Sequence, residues 1–258
     1  MPIITLTTDF GLSDGYVGVM RGVILSIATG TTLVDLSHQI PAQDVRAGAF
    51  VLYQAVPYFP PDTIHLAVVD PGVGGQRRAL AVRTSAGVFV APDNGVLSYA
   101  LAAANVHEAV SLTKPDYQRP QMSATFHGRD IFAPAAAHLA NGVHLAELGP
   151  RAINLLRLPV PRPEHTPGGE ILAHVLHVDH FGNIVLDVTA SDVQGEMTLK
   201  LGRHEIEGIS HTFSDVAPGQ PVAYVGSSRD HVEIAIRDGD AAQEIGLGIG
   251  DQVLIRRL

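Results

Sequence analysis

Apolar and polar positions along the first 150 residues follow two alternating patterns. Short apolar runs predict β-strands over 3–8, 31–37, 63–69, 80–84, 87–91 and 107–113, the fourth and fifth joined as a hairpin. Apolar residues at helical spacing predict helices over 44–59, 94–105 and 129–142. Asp44 is the expected N-cap of the first helix, and Pro134 is expected in the first turn of the last. Strands that alternate with helices favour an α/β domain with a mainly parallel sheet.

The pattern changes at residues 158–169, which contain four prolines and two glycines and are expected to form a linker. Residues 1–157 before it make up the predicted N-terminal domain. Beyond it, short apolar runs predict strands over 170–181, 183–189, 197–202, 204–210, 221–227, 231–236 and 251–258, with one helix over 240–247. This second half, 170–258, is predicted to be a small β-barrel or sandwich domain.

Composition narrows the class of protein. Of the 258 residues, 46% are hydrophobic and 17% are charged, which is typical of a globular protein with a sizeable core. The 17 basic and 26 acidic side chains give a net charge of −9, which argues against non-specific nucleic-acid binding. The absence of cysteine excludes disulfides and thiolate metal sites. No signal peptide and no apolar run of about 18 residues is found, so we expect a cytoplasmic protein without a membrane partner.

Three aspartates lie at or near the ends of predicted strands: Asp9, Asp35 and Asp70. Ligands of open α/β sheets bind outside the carboxyl ends of the strands, where carboxylates can hold hydroxyl groups, ammonium groups or a metal. Aspartate also commonly begins the turn after a strand, which is the simpler explanation for any one of them. Three in one domain favour a binding or catalytic site.

The stretch VVDPGVGGQRRAL (68–80) places two arginines shortly after Asp70. It lacks both the dinucleotide fingerprint and the Gly-Lys-Ser/Thr ending of a phosphate loop, and it leads into a strand instead of a helix. The alternative is that the glycines form a tight loop that returns Arg77 or Arg78 toward Asp70, keeping the carboxylate ionised and oriented. A purely structural ion pair is the competing interpretation.

Histidines supply two further candidates. In TFHGRDIF (125–132), His127 precedes a predicted helix, where backbone N–H groups favour anionic or electron-rich ligands. In AHVLHVDH (173–180), three histidines and Asp179 suggest a metal-dependent hydrolase. In a strand, however, His174 and His180 lie on one face and His177 and Asp179 on the other, so three ligands do not converge and no metal is expected.

Five motifs together resemble the SAM hydroxide adenosyltransferases: TTDFGLSDGYVG, VVDPGVGG with its arginines, APDNGVLS, TFHGRDIFAPAAAHLA and VDHFGNI. These enzymes hydrolyse S-adenosyl-L-methionine (SAM) to adenosine and methionine and are related to fluorinases and chlorinases. The resemblance runs in order over nearly the whole chain. It implies an N-terminal α/β domain, a smaller C-terminal β-barrel, SAM as substrate without a cofactor, and a homotrimer with active sites between subunits.

The resemblance also implies the residues that carry the chemistry. In the hydrolases an Asp–Arg–His set activates water, which corresponds here to Asp70, Arg77 and His127. Arg77 is chosen over Arg78 because the family arginine lies seven residues after the aspartate. Which of Asp70 and His127 takes the proton stays open. The halide-using relatives carry tyrosine in place of Asp70 and Tyr-Ser in place of His127-Gly128, so halogenation is the less favoured chemistry.

Substrate contacts follow from the same motifs: Asp9, Asp14, Asn94, Asp179, Phe181, Asn183, Phe213, Ser228 and Arg229. Asp9 resembles the residue that binds the ribose hydroxyls, with Asp14 supporting it. Asp179 corresponds to the ligand of the methionine ammonium and Asn183 to the ligand of the adenine edge.

Three of the remaining contacts are assigned more loosely, and the chain also departs from the family pattern. Phe213 is expected to stack on adenine, and Ser228 and Arg229 resemble the pair that holds the methionine carboxylate. The segment GSSRDHVEIAI departs from the pattern because His231 replaces an aromatic residue. A non-catalytic SAM- or adenosine-binding module is the remaining alternative.

Overall fold

The computed structural model describes residues 1–257. The chain forms two compact units that divide between Val160 and Pro161. The predicted last strand, 251–258, therefore includes one residue, Leu258, that lies outside the described residues. Within residues 1–257, no helix is long and apolar enough to cross a membrane.

The N-terminal unit is built on a six-stranded sheet. Its strands are β1 (Ile3–Thr8), β2 (Thr32–Ser37), β3 (Ile64–Val68), β4 (Ala79–Thr84), β5 (Gly87–Pro92) and β6 (Val106–Ser111). The order across the sheet is β2-β1-β3-β5-β4-β6. The first four strands in that order run parallel, while β4 is antiparallel to both β5 and β6. The predicted mixed α/β fold with a mainly parallel sheet is confirmed.

Helices cover both faces of this sheet: α1 (Tyr16–Ile27), α2 (Val45–Ala55), α3 (Ser98–Ala102) and α4 (Ala133–Ala140). One apolar core joins the sheet to α1 and α4, and a second joins its other face to α2 and α3. The unit therefore has three layers. The carboxyl ends of β1 and β3, which are neighbours, lie at one edge between these layers.

The predicted helices differ from the observed ones at identifiable residues. Asp44 caps α2 as expected, accepting the Ala47 N–H at 2.9 Å. The helix predicted over 94–105 shortens to α3 because the Asn94 side chain accepts the Val96 N–H at 3.1 Å and Gly95 has a φ of +99°. The helix predicted over 129–142 begins as a π-helical turn, Gly128–Phe132, and continues as α4 with Pro134 in its first turn.

Helix α1 has no counterpart in the predicted elements. Its N-cap is Gly15, which has no side chain to signal a helix start, and its sequence contains two glycines and three valines. Tertiary packing overrides this weak propensity, because Met20 and Ile24 are fully buried against the sheet and α4.

The C-terminal unit is a nearly closed, largely antiparallel barrel. Its strands are β7 (Glu164–His165), β8 (Ile171–Val178), β9 (Ile184–Thr189), β10 (Met197–Leu201), β11 (His204–Glu207), β12 (Pro221–Val225), β13 (His231–Ile236) and β14 (Gln252–Arg257). The order is β11-β10-β14-β8-β9-β13-β12, with β7 pairing β8. A bridge between Ser210 and Tyr224 brings the two ends of this sheet together. The predicted helix over 240–247 is a π-helical turn, Ala242–Gly246.

Candidate active site

Asp70 lies two residues beyond β3, at the carboxyl end of the sheet. All five residues of β3 are buried, so the strand fixes the position at which the chain leaves the core. Two successive turns follow: the Val73 N–H donates to the Asp70 carbonyl at 3.2 Å, and the Gly75 N–H to that of Gly72 at 3.0 Å. These turns return the chain to Asp70 after seven residues.

Arg77 meets Asp70 with two nitrogens. Its Nε lies 3.0 Å from both carboxylate oxygens, and its Nη2 donates to Asp70 Oδ2 at 2.5 Å. The two side chains are nearly buried, with 5% of Asp70 and 10% of Arg77 exposed. A buried, two-point arginine–carboxylate pair fixes the orientation of the carboxylate as well as its charge.

The loop between these residues is held in place by Gly74. Its φ of +75° is a left-handed conformation that favours glycine, and a Cβ there would overlap the Ala124 carbonyl oxygen. This close backbone approach connects the Asp70–Arg77 loop to the segment that carries His127.

His127 completes the cluster through Arg77, whose Nη2 lies 2.7 Å from its Nδ1. Because a guanidinium can only donate, Nδ1 must accept, and neutral His127 therefore carries its proton on Nε2. Burial lowers the pKa of His127 below its ordinary value, and the Arg77 charge lowers it further, against smaller opposing effects of Asp70 and Asp130. The cluster is thus an aspartate, an arginine and a neutral histidine that presents an Nε2–H donor.

Two neighbours of His127 stabilise this arrangement. The Phe132 ring lies under Arg77, with the guanidinium carbon 5.3 Å from the ring centroid. Asp130 is fully buried and accepts the Ser123 N–H at 2.8 Å and two N–H groups of Arg129. Asp130 thereby fixes the ends of the segment on which His127 lies.

The adjacent Arg78 has a different role. It donates to Asp93 at 2.5 and 2.8 Å and to the carbonyls of Ile153 and Asn154, each at 2.9 Å. Arg78 therefore ties the last segment of the N-terminal unit to the sheet. Of the two arginines that the sequence left as candidates, Arg77 is the partner of Asp70.

Asn94 supports the Asp70 strand end. Its Nδ2 donates to the carbonyl of Val69 at 2.8 Å, and its Oδ1 accepts the Val96 N–H. Val69 immediately precedes Asp70 and is fully buried. Asn94 therefore supports the strand end next to Asp70, and its predicted contact with substrate stays a prediction, since the amide keeps one N–H and one acceptor site beyond these two bonds.

Asp9 lies directly after β1, beside the strand that leads to Asp70. Its Oδ2 accepts the Gln43 N–H at 2.8 Å. Asp14 lies in the following loop with its side chain exposed. Asp35, the third aspartate predicted near a strand end, lies inside β2 and forms an ion pair with Arg21 of α1.

The C-terminal unit brings Asp179 and Asn183 together in one tight turn between β8 and β9. Asp179 Oδ1 accepts the backbone N–H groups of Phe181 and Asn183, both at 2.8 Å, and its Oδ2 accepts Asn183 Nδ2 at 2.9 Å. Gly182 has a φ of +82° and packs against the Asp240 carboxylate, where no side chain would fit.

This turn forms part of a cavity of about 990 Å³. Phe181 and Phe213 line it with 73% and 49% of their surface exposed. Tyr224 meets Phe213 edge to face at 5.6 Å and donates its hydroxyl to buried Glu233 at 2.9 Å. Burial and the Glu233 charge raise the pKa of Tyr224, so its hydroxyl stays protonated. The cavity is aromatic and acidic, which suits a flat, positively charged or amine-bearing ligand.

Ser228 and Arg229 lie in the turn between β12 and β13, where Arg229 has a φ of +56°. The cavity is lined at this point by Gly226 and Ser227. His231, at the position where the family pattern has an aromatic residue, begins β13 and is buried, which lowers its pKa.

The histidine cluster of β8 does not converge. His174 pairs with Asp187, its Nδ1 lying 2.9 Å from Oδ2. Among residues 1–257, no group of three or more histidine, aspartate or glutamate side chains is placed to hold a metal ion.

Sequence reasoning missed Tyr224 and Glu233. Both interrupt apolar strand runs, at PVAYV and HVEIAI, and they face each other across β12 and β13. A carboxylate inside an otherwise apolar strand is the signal that could have identified them, because a buried charge needs a partner.

Comparison with known proteins assigns the two units to two different domains of one enzyme family. Residues 4–149 match the SAM hydroxide adenosyltransferase N-terminal domain, and residues 173–254 match the corresponding C-terminal domain. The chain belongs to the SAM hydroxide adenosyltransferase family, as its five motifs predicted.

Individual relatives match over almost the full chain. The (R)-S-adenosyl-L-methionine hydrolase of Salinispora tropica is 46% identical, covering 98% of this chain and 97% of that protein. That of Salinispora arenicola is 43% identical with the same coverage. A fluorinase of Nocardia brasiliensis is more distant, at 27% identity over 99% of this chain and 97% of its own. The crystal structure of a conserved, uncharacterised Thermotoga maritima protein superposes with a TM-score of 0.90 at 34% identity, covering 100% of both chains.

Proposed function

We propose that this protein hydrolyses SAM to adenosine and L-methionine. The observation that carries the proposal is the Asp70–Arg77–His127 cluster, with its Asp70 and Arg77 side chains nearly buried, in a chain of this family whose relatives are named (R)-S-adenosyl-L-methionine hydrolases. A binding module would not need a carboxylate held by arginine at two points beside a histidine with a fixed tautomer. The halide alternative is disfavoured because an ionised Asp70 would repel a halide at close range.

The proposed reaction is a displacement at the ribose C5′ atom. The water oxygen forms a bond to C5′ while the C5′–sulfur bond breaks, and the electron pair of that bond goes to sulfur. Methionine leaves as a neutral thioether, so the leaving group needs no acid. The water must lose one proton, and it must lie in line behind C5′. Alignment of this kind can lower a barrier by roughly 7–11 kcal/mol.

Asp70 is the proposed acceptor of the water proton. Among the described residues, its Oδ1 accepts only the Arg77 Nε–H, which leaves acceptor capacity for a water molecule. His127 is not the base in this scheme, because Arg77 occupies Nδ1 and Nε2 carries the proton. Its Nε2–H can instead donate to the water oxygen and hold it in place. A general base contributes a factor of about 10²–10⁴ to the rate.

Recognition of the substrate is divided between the units. In the N-terminal unit, Asp9 is the proposed ligand of the ribose hydroxyls, since a carboxylate can accept two O–H groups. In the C-terminal unit, the cavity at Asp179 and Asn183 is the proposed site for the methionine ammonium and adenine, with Phe213 as the stacking surface. The named relatives act on (R)-SAM, and we extend that preference for the R configuration at sulfur to this chain.

The proposed assembly is a homotrimer in which the N-terminal unit of one subunit and the C-terminal unit of another complete each site. The division of recognition residues between units supports it. So do the apolar side chains exposed on and beside α1, with Leu12 66%, Tyr16 50% and Val19 43% exposed. Light scattering should give a mass three times that of the chain. We further propose that no cofactor is required and that the enzyme acts in the cytoplasm.

The first test is incubation of the purified protein with the separate R and S epimers of SAM, with and without high chloride. Chromatography and mass spectrometry should show adenosine and methionine in both buffers, formed faster from the R epimer. A halogenated adenosine would contradict hydrolysis. Binding without any product would favour the non-catalytic module. Dialysis against a chelator should leave the rate unchanged.

The matched variants for this test are Asp70→Asn and Asp93→Asn. Each removes the charge of an aspartate that an arginine contacts through two nitrogens, but only Asp70 lies at the proposed site. Asp70→Asn should lower kcat about 10²–10⁴-fold while SAM binding stays measurable. Asp93→Asn should reduce stability and keep turnover. Equal turnover in Asp70→Asn and the parent protein would refute the role of Asp70 as base.

A further inference from the structure

The backbone around Asp9 is supported by a buried histidine that the proposed chemistry does not use. His38 follows β2 by one residue and is only 4% exposed. Its Nδ1 lies 2.8 Å from the hydroxyl of Thr8, the last residue of β1 and the immediate neighbour of Asp9. The His38 carbonyl accepts the Gly11 N–H, also at 2.8 Å. One residue therefore contacts the chain on both sides of Asp9.

The other ring nitrogen of His38 faces a charged pair. Nε2 lies 3.1 Å from Asp35 Oδ1, and Asp35 is paired with Arg21 of α1. Nε2 makes no hydrogen bond among the described residues, but the nearby Asp35 carboxylate favours the tautomer with the proton on Nε2, which leaves Nδ1 to accept the Thr8 hydroxyl. The Thr8 oxygen in turn accepts the Phe10 N–H at 3.3 Å. Two hydrogen bonds thus form a relay from His38 through Thr8 to the Asp9 loop.

We propose that His38, acting through Thr8, is a positioning residue that aims the Asp9 carboxylate at the ribose hydroxyls of the substrate. The inference rests on the proposed function for its substrate. It adds a specificity role to a residue outside the Asp70 cluster. Asp9 Oδ2 is already engaged by the Gln43 N–H, so the direction of Oδ1 depends on the backbone that the relay holds.

Electrostatics agree with a permanently neutral His38. Burial and the Arg21 charge lower the pKa of His38 from its ordinary value, so the ring stays uncharged near neutral pH. A neutral ring keeps one acceptor nitrogen, which is what the Thr8 hydroxyl requires. The relay is therefore a fixed support under the conditions of turnover.

The same sheet offers a matched control. Thr5, three residues earlier on β1, places its hydroxyl 2.9 Å from Nδ1 of His65, which is also buried. The Thr5–His65 pair has the same chemistry and similar burial as the Thr8–His38 pair. It is not adjacent to Asp9, so its loss should affect stability alone.

The experiment compares Thr8→Val with Thr5→Val, using SAM and its 2′-deoxyadenosyl analogue. Thr8→Val should raise the KM for SAM about tenfold with kcat within about twofold, because ribose contacts bind the ground and transition states alike. Its preference for SAM over the deoxy analogue should fall by about the same factor. Thr5→Val should keep the wild-type preference, and Thr8→Ser, which retains the hydroxyl, should restore it.

Unchanged ribose preference in Thr8→Val would overturn the inference, and so would an equal loss in Thr5→Val. If Thr8→Val unfolds, His38→Leu removes the acceptor nitrogen from the other side of the same contact and is subject to the same criteria. Calorimetric binding of adenosine against 2′-deoxyadenosine gives the preference without turnover. Absence of SAM hydrolysis in the wild type would therefore refute the proposed function, whereas the binding measurement would still test the role of His38.

Discussion

The Asp70 cluster and the Asp179 cavity are organised in opposite ways. In the cluster, polar side chains satisfy one another: Arg77 contacts both Asp70 and His127, and less than an eighth of the Asp70 and Arg77 side chains is exposed. In the cavity, hydrogen bonds to Asp179 hold the backbone turn, but Phe181 and Phe213 present large apolar surfaces outward. The polar groups of the Asp70 cluster have partners without a ligand, whereas the Asp179 cavity exposes apolar surface that a ligand could cover.

Under the proposed function, this difference separates the residues that catalyse from those that bind the substrate. A preorganised polar cluster needs no rearrangement during the reaction, so damage to it should lower kcat. Exposed aromatic surface gains its energy when a ligand covers it, so damage to it should raise KM. Four predictions test this division, from the largest expected effect to the smallest.

The largest effect is expected from Arg77→Gln, compared with Arg78→Gln. Arg77→Gln leaves Asp70 without its cation and His127 without its donor, so kcat should fall about 10³-fold. Arg78→Gln removes a structural tie to residues 153–154 and should lower the free energy of unfolding by about 1–3 kcal/mol with kcat nearly unchanged. Steady-state kinetics and denaturant unfolding measure the two quantities. Similar kcat losses in both variants would contradict the separation.

A smaller effect is expected from Gly74→Ala, with Gly142→Ala as control. Both glycines have a positive φ, but only Gly74 has no room for a Cβ, because of the Ala124 carbonyl. Both variants should lose about 1–2 kcal/mol of stability from backbone strain. Gly74→Ala should also displace the loop and lower kcat about 10–100-fold, as expected for a misplacement of roughly 1 Å. A normal kcat in Gly74→Ala would show that the loop position does not govern catalysis.

The cavity is tested by Phe213→Ala against Tyr58→Ala, a change of an exposed aromatic residue in the other unit. Loss of a stacking surface should raise the KM for SAM about tenfold and leave kcat within a factor of about two. Tyr58→Ala should change neither constant. A fall in kcat by the same factor as the rise in KM would show that the cavity takes part in the chemical step, which would contradict the division between the two regions.

The smallest effect concerns pH. Burial and the Arg77 charge lower the pKa of His127 from its ordinary value, and its neutral form accepts the Arg77 N–H, so kcat/KM should fall only as pH drops through that lowered pKa. At pH 6.5 the protein should retain more than half of its plateau kcat/KM. Burial also lowers the pKa of His65 to about 4, so this core histidine stays neutral across the range to be measured, pH 5–8. A midpoint above 6.5 would contradict the assigned state of His127.

The sequence predicted most elements of the sheet and the barrel because their apolar runs carry the period of buried strands. The sequence did not predict α1, because its glycines and valines have low helix propensity. Packing of Met20 and Ile24 in the core stabilises this helix. The prediction also failed over 94–105, where a side chain of Asn94 takes a backbone N–H from the helix. Local signals cannot report either effect, since both depend on tertiary contacts or on one competing hydrogen bond.

The sequence likewise predicted the main residues of the candidate site but not all of the contacts between them. The family resemblance selected Asp70, Arg77 and His127, which the fold brings within hydrogen-bond distance, whereas the residues alone left Arg77 and Arg78 open and said nothing of the histidine tautomer. The hydrogen bond from Asn94 to Val69 and the buried Tyr224–Glu233 pair are visible only in the folded structure. Such contacts join residues that are far apart in the chain or on neighbouring strands, and no local pattern encodes them.

The loop from Asp70 to Arg77 has a consequence for how this protein could change over time. It is fixed at both ends by an ion pair and in its middle by the approach of Gly74 to Ala124. An insertion or deletion there would break one of these constraints at once, so the length of the loop is not free to vary. New substrate preferences are therefore easier to acquire by exchanging side chains around the open cavity of the C-terminal unit than by remodelling the loop beside the reacting atoms.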